Sequence, residues 1–265
     1  MFRYLILLFL YLNSHAQTNP VASFSAMGNT GTALQGIGSL TSNPAGLSSL
    51  KTAQVGSYYQ SSFLNNDIRT IGAVLALPTA LGVFGVQFSN YGVSRLYADI
   101  KASLVFSRSF GSKLAVGTAF NYHQLQINRY GTSKAYSVDL GVQYMFTPQW
   151  IIGAHVANFG NASYDETAQA IIPVYCRLGT SYRVHDRLLF SADAEQLFYG
   201  QHVDFRTGIE YGISRQFYFR GGLAFHEIKQ FFGFGLQIKG LSCDFATMVH
   251  PRLGLSPQLF VAYAF

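Results

Sequence analysis

Charge is what this sequence has least of. Asp, Glu, Lys and Arg make up 11% of the 265 residues, less than half the ~25% of an ordinary soluble domain. Two cysteines are too few for a disulfide framework. Beyond the N-terminal region no run of ~18 apolar residues occurs, which rules out a helical membrane protein. The motifs of catalysis are missing as well. There is no Gly-x-Ser-x-Gly elbow, and the Gly28/Gly31 and Gly36/Gly38 pairs have neither a preceding strand nor a following Lys at phosphate-loop spacing. The histidines at His123, His155, His185, His202, His226 and His250 stand singly, without His-x-x-x-His spacing. No enzyme activity, metal or other cofactor is therefore expected. The net charge of +6 comes from scattered Lys and Arg, which argues against nucleic acid and suits contact with anionic outer-membrane lipid, including lipopolysaccharide.

The chain is rich in Phe (23), Tyr (17) and Gly (26), and from about residue 53 its apolar period is two. Tyr136, Val138, Leu140, Val142, Tyr144 and Phe146 alternate with Ser137, Asp139, Gly141 and Gln143. Val203, Phe205, Thr207, Ile209, Tyr211 and Ile213 alternate with Asp204, Arg206, Gly208, Glu210 and Gly212 in the same way. Strict alternation over ten or more residues marks a half-buried strand, and the length matches the ~9–11 residues needed to span a bilayer. Fourteen such segments are predicted, near 53–63, 67–77, 82–92, 97–109, 113–127, 134–147, 149–158, 174–185, 187–197, 202–214, 216–226, 230–239, 241–249 and 257–265. The even number, with short turns on one side and longer loops around 90–96, 128–133, 159–173 and 250–256 on the other, predicts an all-β transmembrane antiparallel barrel.

Residues 1–16 read as a secretory signal peptide. Arg3 supplies the positive region, Tyr4 to Leu12 the apolar region, and Ser14-His15-Ala16 the small-x-small site before Gln17. Residues 17–50 carry no charged residue and are rich in glycine, yet Ala26, Met27, Leu34, Ile37, Leu40 and Leu47 are more apolar than a disordered tail needs. They are expected to fold into the barrel as a plug, with residues 51–265 forming the wall. Tyr263 and Phe265, on an alternating final strand, resemble the signal read by the bacterial barrel-insertion machinery.

Two sets of wall residues invite interpretation. Cys176 and Cys243 fall on outward registers of the eighth and thirteenth strands, too far apart for the ~7 Å a disulfide tolerates, so both are expected to be free thiols. On the inward face Arg177 and Arg183, Asp193 and Glu195, Asp204, Arg206 and Glu210, and Arg220 place opposite charges on adjacent strands. They read either as a cross-strand lattice bracing the wall or as a polar track for a hydrophilic solute.

Met27-Gly28, Gly31-Thr32-Ala33 and Ser42-Asn43-Pro44-Ala45-Gly46-Leu47 resemble the start of FadL and PorV/PorQ outer-membrane proteins. The stretch His250-Pro251-Arg252-Leu253-Gly254-Leu255-Ser256 is similar to the end of PorV/PorQ chains. The FadL resemblance implies passage of hydrophobic small molecules past an N-terminal hatch. The PorV/PorQ resemblance implies an accessory or docking role in type IX secretion, with another outer-membrane or secreted protein as partner. The charged inward face and the trimmed loops favour the docking role.

Overall fold

The computed structural model describes residues 20–65, 67–93, 96–164, 172–198 and 202–265; the signal peptide expected over 1–16 lies outside them. Fourteen strands form one closed antiparallel barrel in which each strand pairs with its neighbours in sequence and the last pairs with the first. They are β1 (Gln54–Ser61), β2 (Ile68–Pro78), β3 (Val83–Val93), β4 (Tyr97–Phe110), β5 (Leu114–Ile127), β6 (Gly131–Thr147), β7 (Trp150–Ala157), β8 (Tyr175–His185), β9 (Leu188–Leu197), β10 (Val203–Gly212), β11 (Phe217–Ala224), β12 (Lys229–Ile238), β13 (Leu241–His250) and β14 (Gly254–Ala264). Closure gives every strand two partners and leaves no edge to aggregate.

Burial alternates as the period-two pattern requires. On β6, Ala135, Ser137, Asp139, Gly141 and Gln143 are buried while Tyr136, Val138, Leu140, Val142 and Tyr144 are exposed. The exposed set is apolar because it faces lipid. From Tyr136 to Phe146 the apolar run covers ten residue steps, about 34 Å of strand. Tilted by ~40°, that becomes a band of about 25 Å, the height of an outer-membrane barrel's apolar belt. Phe146 stacks on Trp150 at 4.9 Å, and Phe120 on Tyr136 at 5.9 Å, near the two ends of this band.

The turns at the end shared by the start of β1 and the end of β14 are short, as expected. The opposite connections differ from expectation. β6 begins at Gly131 and β14 at Gly254, so residues of loop-like composition form strand closed by tight turns. The turn at 251–253 is anchored by His250 Nδ1, which accepts the Arg252 and Leu253 amides at 3.1 and 3.2 Å. Polar and glycine residues mimic loop composition there because the strands rise past the apolar belt into water. The 158–174 connection is the long one at this end.

Residues 21–50 supply the filling of the barrel. They form α1 (Ala22–Ala26) and two 3₁₀ turns, Ile37–Thr41 and Pro44–Ser49, nearly all of it buried. Ile37, Leu40, Leu47 and Leu50 share one apolar cluster with the wall residues Tyr58, Val74, Val83, Val105 and Phe260.

Candidate functional site: the lumen and its internal segment

A chain segment in a lumen has no ladder to satisfy its backbone, so side chains must do it. Asp193 on β9 satisfies two of its amides. Its Oδ2 accepts the Gly31 amide at 2.9 Å, the Thr32 amide at 3.1 Å and the Thr32 hydroxyl at 2.7 Å. Thr30 Oγ1 lies 2.6 Å from Ser191 Oγ on the same strand. Gln143 donates to the carbonyls of Thr32 and Leu34 at 3.0 and 2.9 Å, Ser181 to Ala33 at 2.9 Å, and Ser107 to Ala45 at 3.0 Å.

Asn43 joins segment and wall. Its side-chain amide donates to the carbonyls of Thr32 (2.7 Å), Val142 (3.1 Å) and Ala154 (3.3 Å). Its Oδ1 accepts the Ala45 amide and caps the turn that starts at Pro44, whose missing N–H costs nothing at that position. Ala45, Gly46 and Leu47 follow as buried residues of that turn. The wall makes room with glycine. A Cβ on Gly141 would overlap Asn43 Oδ1, and one on Gly222 would overlap the Gly28 amide nitrogen. Gly117, Gly153 and Gly208 face the segment just as closely. In the sequence Gly141 and Gly208 read only as members of the polar face of their strands; the alignment of all five glycines on one internal segment carries no sequence signal.

The charges form a belt on part of the wall. Arg177 pairs with Glu195, which also takes Arg206 at 2.7 Å; Arg206 in turn holds Asp204 at 2.8 Å. Arg220 holds Glu210 at 2.6 Å and Asp244 at 2.5 Å, and Lys101 approaches Asp139 at 3.7 Å. All but Arg206–Asp204, which lie on one strand, are cross-strand pairs, with Asp244, Lys101 and Asp139 as members beyond the charges singled out in the sequence. Two expected members depart from the pattern. Asp193 spends its carboxylate on the internal segment. Arg183 is exposed, beside the register shift at Arg183/His185 next to the β8–β9 turn, and forms no ion pair among the described residues.

The other part of the lumen carries apolar clusters interleaved with buried Gln60, Gln87, Ser103, Asn121 and Gln258, and two further apolar clusters lie at its outer mouth. Leu125, Ala135, Tyr164 and Ile172 cluster with Tyr97 and Ile127 where the 158–174 connection folds in. Ala224, Phe231 and Met248 cluster with Phe63 across the mouth. Burial raises the Tyr164 pKa, so its hydroxyl stays protonated and donates to Asp99 at 3.4 Å. Glu227, in the β11–β12 turn, is held below the usual carboxylate range by its hydrogen bond from Lys229.

Cys176 and Cys243 are free and on outward registers. Tyr263 and Phe265 stack edge-on at 5.1 Å on the outer face, and the Phe265 amide donates to the Ala53 carbonyl at 2.9 Å, extending the β1–β14 seam.

No protein-family model and no curated protein matches the chain. Solved structures do match. The Pseudomonas putida toluene transporter TodX aligns with TM-score 0.72 at 14% identity, over 94% of this chain and 98% of that one. The Ralstonia pickettii toluene transporter TbuX aligns with TM-score 0.67 at 16% identity, over 92% and 97%. A Pseudomonas aeruginosa FadL homologue aligns with TM-score 0.66 at 11% identity, over 94% and 98%. The chain thus has the FadL-like barrel fold of these outer-membrane proteins. The likeness does not extend to PorV/PorQ specifically, and the docking role drawn from that resemblance gains no support.

Proposed function

We propose that this chain is a passive outer-membrane channel for small hydrophobic molecules, with residues 20–50 as its internal hatch. The observation that carries this reading is the division of the lumen. Most of its charges pair with one another, while Tyr58, Val74, Val105 and Phe260 form an apolar cluster on the wall and two more apolar clusters stand at the outer mouth. A paired lattice presents little free charge to a passing solute, whereas apolar clusters along the lumen offer a hydrophobic one places to leave water. The toluene transporters among the structural neighbours support the same class of solute.

The hatch is held mainly by hydrogen bonds and packing, and both are reversible. Bonds to a charged acceptor contribute about 1.5–3 kcal/mol each, so the three on Asp193 make β9 the main latch. The test is to lock it. Thr30 and Ser191 place their hydroxyl oxygens 2.6 Å apart, close enough for a T30C/S191C pair to bridge, and the native cysteines face outward. Uptake of a labelled monoaromatic compound into proteoliposomes should be abolished when the pair is oxidised and restored by reductant. Equal uptake in both states would remove the hatch from the pathway, and wild-type uptake no faster than through empty liposomes would reject the channel itself.

A further inference from the structure

Hydrogen-bonded register sorts the outward residues of β2–β6 into rows. The row Leu75, Val86, Leu104, Phe120 and Val138 is wholly apolar. The next row towards the outer rim, Ala73, Phe88, Ala102, Tyr122 and Tyr136, adds the amphipathic tyrosines that mark a membrane interface. Above it come Ile71, Asn90, Ile100, Gln124 and Lys134, and then Arg69, Gly92, Ala98, Gln126 and Thr132. Polarity therefore switches over one or two rows, at the height where lipid acyl chains give way to headgroups.

The polar rows contain a depression. Gly92 and Ala98 have almost no side chain, and two hollows of ≈ 200 and ≈ 340 Å³ meet there at Tyr97 and Ala98. Arg69 and Asn90 line the first, Gln126 and Asn128 the second. Arg69 and Lys134 stand exposed at its two ends, with Arg129 exposed on the turn above. None of the three forms an ion pair among the described residues. No carboxylate occupies these rows; Asp99 lies on the luminal register, and Asp67 sits in the β1–β2 connection. At the same end the outward row Leu223, Gln230, Val249 and Leu255 is uncharged, with Arg252 exposed on the turn above it.

We propose that this trough binds the phosphorylated headgroup of an outer-leaflet glycolipid. Arg69 and Lys134 would contact phosphate, the amides of Asn90, Gln124 and Gln126 would bond the sugar hydroxyls, and the apolar rows below would carry the acyl chains. Cations held at a membrane surface attract anionic headgroups, and Arg offers phosphate a two-pronged donor. The site lies on the outer wall and does not depend on what the lumen conducts.

Native mass spectrometry of the full chain in neutral detergent doped with diphosphorylated lipid A tests it. Wild type should retain one lipid A, and R69Q/K134Q should weaken that retention about tenfold or more. R108Q, which removes an exposed outward cation beside Phe110 at the opposite end of β4, should leave it unchanged. Dephosphorylated lipid A should bind wild type more weakly by a similar factor, a comparison that needs no variant to fold. Equal binding of the dephosphorylated lipid, undiminished retention by R69Q/K134Q, or displacement by millimolar inorganic phosphate would each overturn the proposal.

Discussion

Replacing Asp193 with Asn would leave a near-isosteric side chain facing the Gly31 and Thr32 amides and the Thr32 hydroxyl, without the charge that strengthens all three bonds. Neutral hydrogen bonds are worth about 0.5–1.5 kcal/mol against about 1.5–3 to a charged group. D193N should therefore loosen the segment by about 2–4 kcal/mol in sum, while the barrel stays closed. Hydrogen exchange at residues 30–33 should accelerate by at least tenfold with strand amides unchanged; unchanged exchange would show that apolar packing alone holds the segment. At this scale the sequence was partly legible. Asp193 was visible as an inward acid beside cationic strands, and was for that reason assigned to the ion-pair lattice. Its actual partners lie about 160 positions earlier in the chain, a relation no local pattern reveals. An Asn-Pro pair such as Asn43-Pro44 marks a turn start in any sequence, because capping acts within a few residues. The bridge from Asn43 to Val142 and Ala154 has no such mark.

Among elements, the closest fit is between strand glycines and the luminal segment. Gly222 lies against the backbone of Met27 and Gly28, which cannot yield as a flexible side chain can. G222V should expel this part of the segment from the lumen. Since the position faces inward and β-branched residues suit strands, the barrel itself should persist. The expected readout is limited proteolysis cutting within residues 20–35, with heat-modifiable gel mobility retained. Protection equal to wild type would refute the close approach as the structural requirement. The strands themselves were legible almost to the residue, because lipid on one face and a packed lumen on the other impose a two-residue period that short-range reading detects. Their outer ends were less so. β6 and β14 start three residues before the predicted 134 and 257 because alternation fades where the outward face meets water.

For the whole molecule, the segment and the wall are complementary halves of one interior. Residues 20–50 turn Ile37, Leu40 and Leu47 towards the apolar wall, and Thr30, Thr32 and Asn43 towards polar groups of β6–β9. Deleting 20–50 should leave a water-filled pore. Planar-bilayer recordings should show stepwise conductance above wild type. A deletion barrel that stays silent while keeping heat-modifiable mobility would mean that the wall closes without its filling.

The sequence by itself determined the closed antiparallel barrel, its fourteen strands, its membrane and the outward placement of both cysteines. All of these follow from an alternation in which each residue's face depends only on its neighbours. Only the tertiary structure decided what fills the lumen and how. The Asp193 latch, the glycine seats, the extension of the charge lattice to Asp244 and the split between charged and apolar walls arise from residues up to about 200 positions apart. Closure of the sheet brings them together, and the two-residue period carries no information about which strands will face one another across the lumen.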